Sequence, residues 1–373
     1  MSRRIGVRAL LTVFAALVLA AGLAACGSSN NNSSGGGGGG SGSGGKIALL
    51  LPETKTTRYE SQDRPLFQQK VKSICPDCQI LYSNADQDAS KQQSQAEAAI
   101  TNGAKVLVLD PVDSASAAAI VNKAAQSKIP VISYDRLITG AKVDYYISFD
   151  NVQVGKLQAT SLVNKLKQDG KGSGTIFMIN GAPTDNNAKL FKQGAHSVLD
   201  SSGLKIGKEY DTPDWSPDKA QTEAQQAITA LGKNGFVGVY AANDGTAGGV
   251  VAAEKGAGVD PSTKPLTGQD AELDGIQRII AGQQYMTVYK AIKPEAEDAA
   301  TLAVALAQGK SAPGGLVNGK TDNGAGQVPS ILLKPVAVTA QNVESTVVKD
   351  GFWKPSQICT AAYKAACQKY GIK

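Results

Sequence analysis

A single histidine, His196, stands among 373 residues, and Phe191, Ala195 and Val198 form the apolar face of its segment while His196 falls on the other. One histidine cannot build an HExxH metal helix or a histidine-built metal cluster, and because the position reads as a solvated side chain, a His-based catalytic triad is not expected either. Aromatic residues amount to 5%, and no Lys/Arg block with interleaved aromatics occurs, so a nucleic-acid surface is not expected. The apolar run Ala9–Ala21 is short for a membrane span and has no stop-transfer flank. Cys75-Pro-Asp-Cys78 has no second Cys-x-x-Cys and no nearby histidine to complete a zinc site. Neither a metal nor a cofactor is expected.

The N-terminal stretch points to export from the cytoplasm. Arg3, Arg4 and Arg8 precede the apolar run, and Leu23-Ala24-Ala25-Cys26 follows it. This is the layout of an export signal. Leu-Ala-Ala-Cys resembles a bacterial lipobox, which implies a signal peptide over 1–25, cleavage before Cys26, and lipid on its sulfur as a membrane anchor. Residues 26–45 are then the lipidated cysteine and a Gly/Ser tether that reaches about 24 Å. Within it GSGSGGK (Gly40–Lys46) mimics a phosphate loop. Ile47 follows in place of Ser or Thr, and the glycines precede a strand instead of following one, so that motif is set aside. Export permits disulfides. Cys75, Cys78, Cys359 and Cys367 admit three pairings, of which the local one, Cys75–Cys78 with Cys359–Cys367, is expected.

From Lys46 onward, short apolar strands and amphipathic helices alternate roughly every 25–33 residues, the spacing of βαβ units. The strands are Lys46–Leu51, Gln79–Tyr82, Val106–Leu109, Val131–Tyr134 and Tyr145–Phe149, and the pattern restarts after Asn151. It continues through strands at Thr175–Ile179, Lys205–Tyr210, Phe236–Ala241, Pro265–Gly268 and Tyr285–Tyr289. Gly314–Gly326 reads as loop and Ser330–Val338 as one last strand. The length suits about two domains. The fold class is α/β: two doubly wound lobes with mainly parallel sheets.

Polar residues recur just after these strands: Glu53, Lys55 and Arg58; Asp135-Arg136; Asp185-Asn186-Asn187; Asn243-Asp244; Gln269-Asp270; and Lys290. In an open α/β sheet such strand ends face one crevice. Carboxylates, amides and cations together suit a neutral polyhydroxy ligand, whose hydroxyls both donate and accept. Trp215, Tyr59 and Phe149 offer apolar faces for ring carbons. A glycosidase could draw a carboxylate pair from Asp135, Asp185, Asp244 and Asp270. The neighbouring cations would keep such groups ionised, so no enzyme activity is expected.

The segments YDRLITGAKVDYYISFDNVQVGKLQA, GAPTDNNAKLF, NDGTAGG, GQDAEL, AGQQYMTVYK and VPSILLKPVAVT carry a resemblance. They are similar to the D-xylose-binding branch of the periplasmic sugar-binding family of bacterial ABC importers, over about Lys46 to Lys354. The resemblance implies two lobes joined by a three-segment hinge, crossing near Ser148–Asn151, Thr287–Lys290 and Gln327–Lys334. Lobe one would be 46–149 plus 289–328, lobe two 150–288 plus 329–354, and 355–373 a tail with two cysteines. It implies ligand contacts from Arg58, Tyr59, Asp135, Arg136, Asp185, Asn187, Trp215, Asn243, Asp270 and Lys290. Tyr59 stands where the family has tryptophan. The implied partners are a monosaccharide, D-xylose first and glucose or ribose as alternatives, and an ABC permease with its ATPase. A monomer anchored outside the cell membrane is the implied form; a chemotaxis or sensing receptor subunit is the alternative role.

Overall fold

A computed structural model of the protein describes residues 44–373; the signal peptide, Cys26 and nearly all of the tether lie outside the described residues. The first run of elements is β1 (Lys46–Leu51), α1 (Arg64–Ile74), β2 (Gln79–Asn84), α2 (Ala89–Thr101), β3 (Ala104–Leu109), α3 (Ala118–Gln126), β4 (Val131–Tyr134) and β5 (Tyr145–Phe149). The second is α4 (Asn151–Gln168), β6 (Thr175–Asn180), α5 (Asn186–Leu199), β7 (Lys205–Asp211), α6 (Pro217–Leu231), β8 (Gly238–Ala241), α7 (Asp244–Gly256), α8 (Leu273–Ile280) and β9 (Met286–Tyr289). The chain ends with α9 (Ile292–Ala307), β10 (Gly319–Asp322), β11 (Gln327–Leu333), β12 (Val336–Thr339), α10 (Pro355–Ile358) and α11 (Lys364–Tyr370).

The first sheet runs β10-β11-β5-β4-β3-β1-β2 and is parallel except for the edge strand β10. Alternation along its strands builds two cores. Ile47, Leu49 and Leu51 of β1 join α1 and α9 on one face, while Ala48 and Leu50 join α2 and α3 on the other. The second sheet is β7-β6-β8, and β12 pairs antiparallel with β9. Single bridges from Val239 to Leu266 and from Gln269 to Val288 splice the two pieces through residues 265–269. In β6, Ile176 and Met178 face α4 and α5, and Phe177 and Ile179 face α6 and α7. Strand order reverses beside β1 in one sheet and beside β6 in the other, which puts a ligand crevice at the carboxyl ends of both.

Several local expectations needed revision. Residues 265–268 form no regular strand: Pro265 lacks an N–H, and the Thr267 hydroxyl accepts the Ala241 N–H at 2.8 Å in place of a backbone carbonyl. The segment 330–338 is two strands, broken at Lys334-Pro335. β11 stays paired with β5 through Leu333, so the third passage between sheets comes after Leu333 and not at 328. The 314–326 stretch contains β10. Tyr59–Asp63 forms a π-helical turn, and α1 follows with Pro65 in its first turn. The cysteines pair locally, Cys75 with Cys78 and Cys359 with Cys367. His196 lies at the surface but is only partly solvated, with ring nitrogens 2.9 Å from Asp200 and 3.1 Å from Glu209. No helix among the described residues is long and apolar enough to cross a membrane.

Candidate functional site

All ten residues singled out above line one cavity of about 260 Å³ of empty space between the strand ends of the two sheets, together with Thr56, Phe191 and Gln269. From the first sheet, β1 leads to Arg58 and Tyr59, and β4 leads to Asp135 and Arg136. From the second, β6 leads to Asp185 and Asn187, β7 to Trp215, β8 to Asn243, and 265–269 to Asp270.

Arg58 is buried and forked. Its Nε and Nη2 donate to Asp63 at 2.9 and 2.6 Å, and Nη2 also reaches Glu295 at 2.6 Å. Tyr134 donates its hydroxyl to the same Asp63. Two of the three guanidinium nitrogens are therefore committed behind the cavity. Nη1 has no hydrogen-bond partner and sits 3.5 Å from Asp135 and 4.0 Å from Asp270. Arg136 is ringed by carboxylates at ion-pair distance, 3.1 Å from Asp185, 3.5 Å from Glu53 and 3.6 Å from Asp110, and donates to the Pro111 carbonyl. Tyr59 lies between the two guanidinium groups, 5.3 and 5.5 Å from its ring centre, and donates its hydroxyl to Asp135 at 2.9 Å.

On the opposite wall, Asp185 caps α5 by accepting the Asn187 N–H at 2.8 Å, and its second oxygen accepts the Trp215 indole N–H at 3.1 Å. Asn187 donates to the Asp135 carbonyl at 3.0 Å, so the two walls touch directly. Asn243 spends its side-chain oxygen capping α7 at the Thr246 N–H, 2.8 Å away, which leaves its NH2 for the cavity. Lys290 lies 3.0 Å from Asp270 and 3.8 Å from Asp135. Trp215 meets Phe191 edge to face at 6.3 Å, and its ring rests on Gly181, where any Cβ would come within 2.0 Å of the indole.

Backbone geometry at the site is unusual. Asp135, Trp215 and Asp270 have φ of +53°, +53° and +89°. Side-chain-bearing residues are uncommon in this region, and strain of this kind is held in place only by a rigid surround. Its effect is to aim each side chain across the cavity and not along the strand.

Burial alone would raise the Asp135 carboxyl, but Arg58, Lys290 and Arg136 outweigh it and hold the group well below the usual carboxylate range. Burial wins at Asp185, raising it against Arg136, and wins more strongly at Asp110 and Glu295. Burial would lower Lys290, but Asp270 and Asp135 overturn this and keep it charged. The cavity thus offers fixed donors at Arg58, Lys290 and Asn243 and fixed acceptors at Asp135 and Asp270. Gln269 Oε1 is buried there without a hydrogen-bond partner, and Asp270 Oδ1 is held by the Lys290 ammonium. Such an array matches hydroxyl groups spaced around a ring.

Some residues stand off the cavity or were not foreseen. Asp244 is buried away from it, pushed up to about 7 by burial, and accepts from Glu272 N, Gln284 and Thr287. It ties loops together. Lys55 is turned to solvent, and the Glu53 carboxylate folds back onto the Lys55 and Thr56 N–H groups. Gln269, named with Asp270 among the strand-end residues, does line the cavity; Phe191 lies one helical turn after Asn187, so adjacency could have flagged it. Asp63 and Glu295 carry no such signal.

Residues 47–311 match the family described as periplasmic binding protein domain. The chain is 38% identical over 317 residues to a D-xylose-binding periplasmic protein of Escherichia coli, covering 84% of this chain and 92% of that one. It is 39% identical over 290 residues to a multiple sugar-binding periplasmic receptor of Rhizobium radiobacter, covering 73% and 81%. An ABC transporter solute-binding protein of Clostridium phytofermentans with bound β-D-glucose superposes with a TM-score of 0.76 at 29% identity, covering 84% of this chain and 99% of that one.

Proposed function

Because the chain belongs to the periplasmic binding protein family, we propose that it is the substrate-binding component of an ABC sugar importer, taking one monosaccharide into the cavity between its two lobes. The observation that carries this reading is the convergence of ten polar and aromatic side chains, from the strand ends of both sheets, on one small buried cavity. D-xylose is the first-choice ligand, supported by the 38% identity to a D-xylose-binding periplasmic protein. Glucose is the main competitor, because the Clostridium relative holds it. The lobes would be 46–149 plus 289–333 and 150–288 plus the segment after Leu333, with the three passages between sheets acting as hinge. Closure is favoured only as far as the sugar gains contacts with both walls.

The protein is read as a binder and not an enzyme. Asp185 is the one cavity carboxyl pushed up, and its oxygens are engaged by Asn187, Trp215 and Arg136, which leaves no free acid to protonate a leaving group. A sensing role alongside transport is supported by the similarity to a multiple sugar-binding receptor. Lipid on Cys26 would hold the protein to the outer face of the cell membrane as a monomer; Cys26→Ala should then release it from membranes, and membrane retention would refute the anchor. Calorimetric titration with a panel of pentoses and hexoses, followed by recovery of the sugar, tests the function. Binding of one or a few, with the sugar recovered unchanged, is expected. Turnover, or no binding across the panel, would overturn the proposal.

A further inference from the structure

The C-terminal segment packs behind the second wall of the cavity. Asp270 and Ala271 both have left-handed backbone, φ +89° and +49°, and neither is glycine. Such a turn persists only if its surroundings hold it. Three donors and one acceptor do so. Asp270 N donates to Val288 O at 2.9 Å, and Ala271 N to the Thr287 hydroxyl at 3.2 Å. Glu272 N donates to Asp244 at 2.9 Å. The fourth contact comes from far along the chain: the Trp353 indole N–H donates to the Ala271 carbonyl at 2.7 Å.

Trp353 is nearly buried, and Phe352 packs against it edge to face at 5.4 Å. The same Phe352 ring meets Tyr289 at 5.2 Å. Tyr289 directly precedes Lys290, the partner of Asp270. One aromatic pair therefore backs both members of the Asp270–Lys290 pair. The tail beyond it is anchored to match. Ile358, Cys367 and Ile372 are buried in one cluster with Ile276, Ile279 and Ile280 of α8, the helix that starts just after the Asp270 turn. Gln277 of α8 donates to the Gln357 carbonyl at 3.2 Å.

We propose that Trp353, clamped by Phe352 and the disulfide-stapled tail, is a positioning residue for the ligand site, holding the Ala271 carbonyl so that Asp270 faces the cavity. The inference rests on the sugar-binding reading of that cavity. Its test is a set of calorimetric titrations with the panel sugar that the wild type binds most tightly. Trp353→Phe keeps the ring and deletes the donor. It is expected to weaken binding by ~5- to 30-fold, the effect of a buried carbonyl left unpaired. In an Asp270→Asn background the same change should cost less than about twofold, while in a Trp215→Phe background, at a residue that shares no ion-pair partner with Asp270, the full loss should persist, because residues acting through one another are non-additive and independent ones add. Asparagine is suited to the positive φ at position 270. A merely structural role would give equal losses in both backgrounds and would overturn the proposal, as would wild-type affinity in Trp353→Phe. Should Trp353→Phe fail to fold, Phe352→Leu, which keeps the indole and loosens its clamp, is judged by the same two backgrounds. No binding by the wild type would overturn the reading of the site and this inference with it; wild-type binding with Trp353→Phe unaffected would overturn the inference alone.

Discussion

Replacing Asp135 by asparagine removes one charge from the centre of the cavity and little else. The shape is kept, and asparagine tolerates the φ of +53° at this position. The Tyr59 hydroxyl, 2.9 Å from Oδ2, can still find an acceptor. Arg58 remains bound to Asp63 and Glu295, so the fold should survive. What is lost is the anionic character of the acceptor facing the sugar. Charge-assisted hydrogen bonds are about twice as strong as neutral ones, so the loss is about 1–2 kcal/mol. At about 1.4 kcal/mol per tenfold, affinity should fall about 5- to 30-fold. Asp135→Ala should cost more, about 2 kcal/mol or over, because Arg58 Nη1 and Lys290 lose a buried counter-charge and alanine is strained at positive φ. Titration calorimetry on both variants, beside thermal melts to confirm folding, reads the effect directly. The carboxyl is held below its ordinary value in the folded protein. Its contribution is therefore fully present above the unfolded value of about 3.9 and lost only as pH falls further. Repeating the titration at pH 5.5 and 7.5 should leave the wild-type-to-variant ratio unchanged. Kd values within twofold of wild type in both variants would refute the reasoning.

Three further outcomes are expected. Arg58→Lys keeps a charge but cannot bridge Asp63, Glu295 and the cavity together; affinity should drop about 10- to 100-fold and the melting temperature should fall, and a wild-type Kd would contradict the two-sided role of the guanidinium. Gly181→Ala would press a methyl group into the Trp215 ring, so the indole should shift off Asp185 at a cost of about 1–3 kcal/mol; unchanged sugar affinity and tryptophan fluorescence would show that the ring does not depend on that glycine. Glu254 is buried with both carboxylate oxygens unpartnered, and burial, opposed by Lys264, pushes it up to about 8. Between its ordinary value of 4.5 and that value the folded state binds the extra proton, so stability falls as pH rises through this window. Glu254→Gln should accordingly raise the melting temperature more at pH 8 than at pH 5, and an equal gain at both would dismiss the group as a source of pH dependence.

Much of the site was legible because it is built at strand ends. A short apolar run followed at once by Asp-Arg, Asp-Asn-Asn or Asn-Asp is a local pattern, and parallel topology sends such ends to a common edge. All ten singled-out residues consequently line one cavity. What holds them was not legible. Glu295 lies 237 residues from Arg58 and sits in a helix where it reads as one more surface acid. Asp63 sits in a π-helical turn that periodicity cannot distinguish from ordinary helix. The contact of Trp353 with Ala271 spans 82 residues, a separation that local pattern does not bridge. The strand at 330–338 was misread for a simpler reason: both halves are apolar, and only Pro335 marks that they belong to different sheets. Distant charge pairs depend on tertiary packing, and pattern alone carries no signal for them.

The most direct test of the central claim is a crystal structure of the protein with the panel sugar that it binds most tightly. One monosaccharide should lie in the cavity, with hydroxyls within about 3 Å of Asp135, Asp270, Arg58 Nη1, Lys290 and Asn243, and its ring carbons against Trp215. A sugar bound elsewhere, or a cavity that stays without one at saturating concentration, would contradict it.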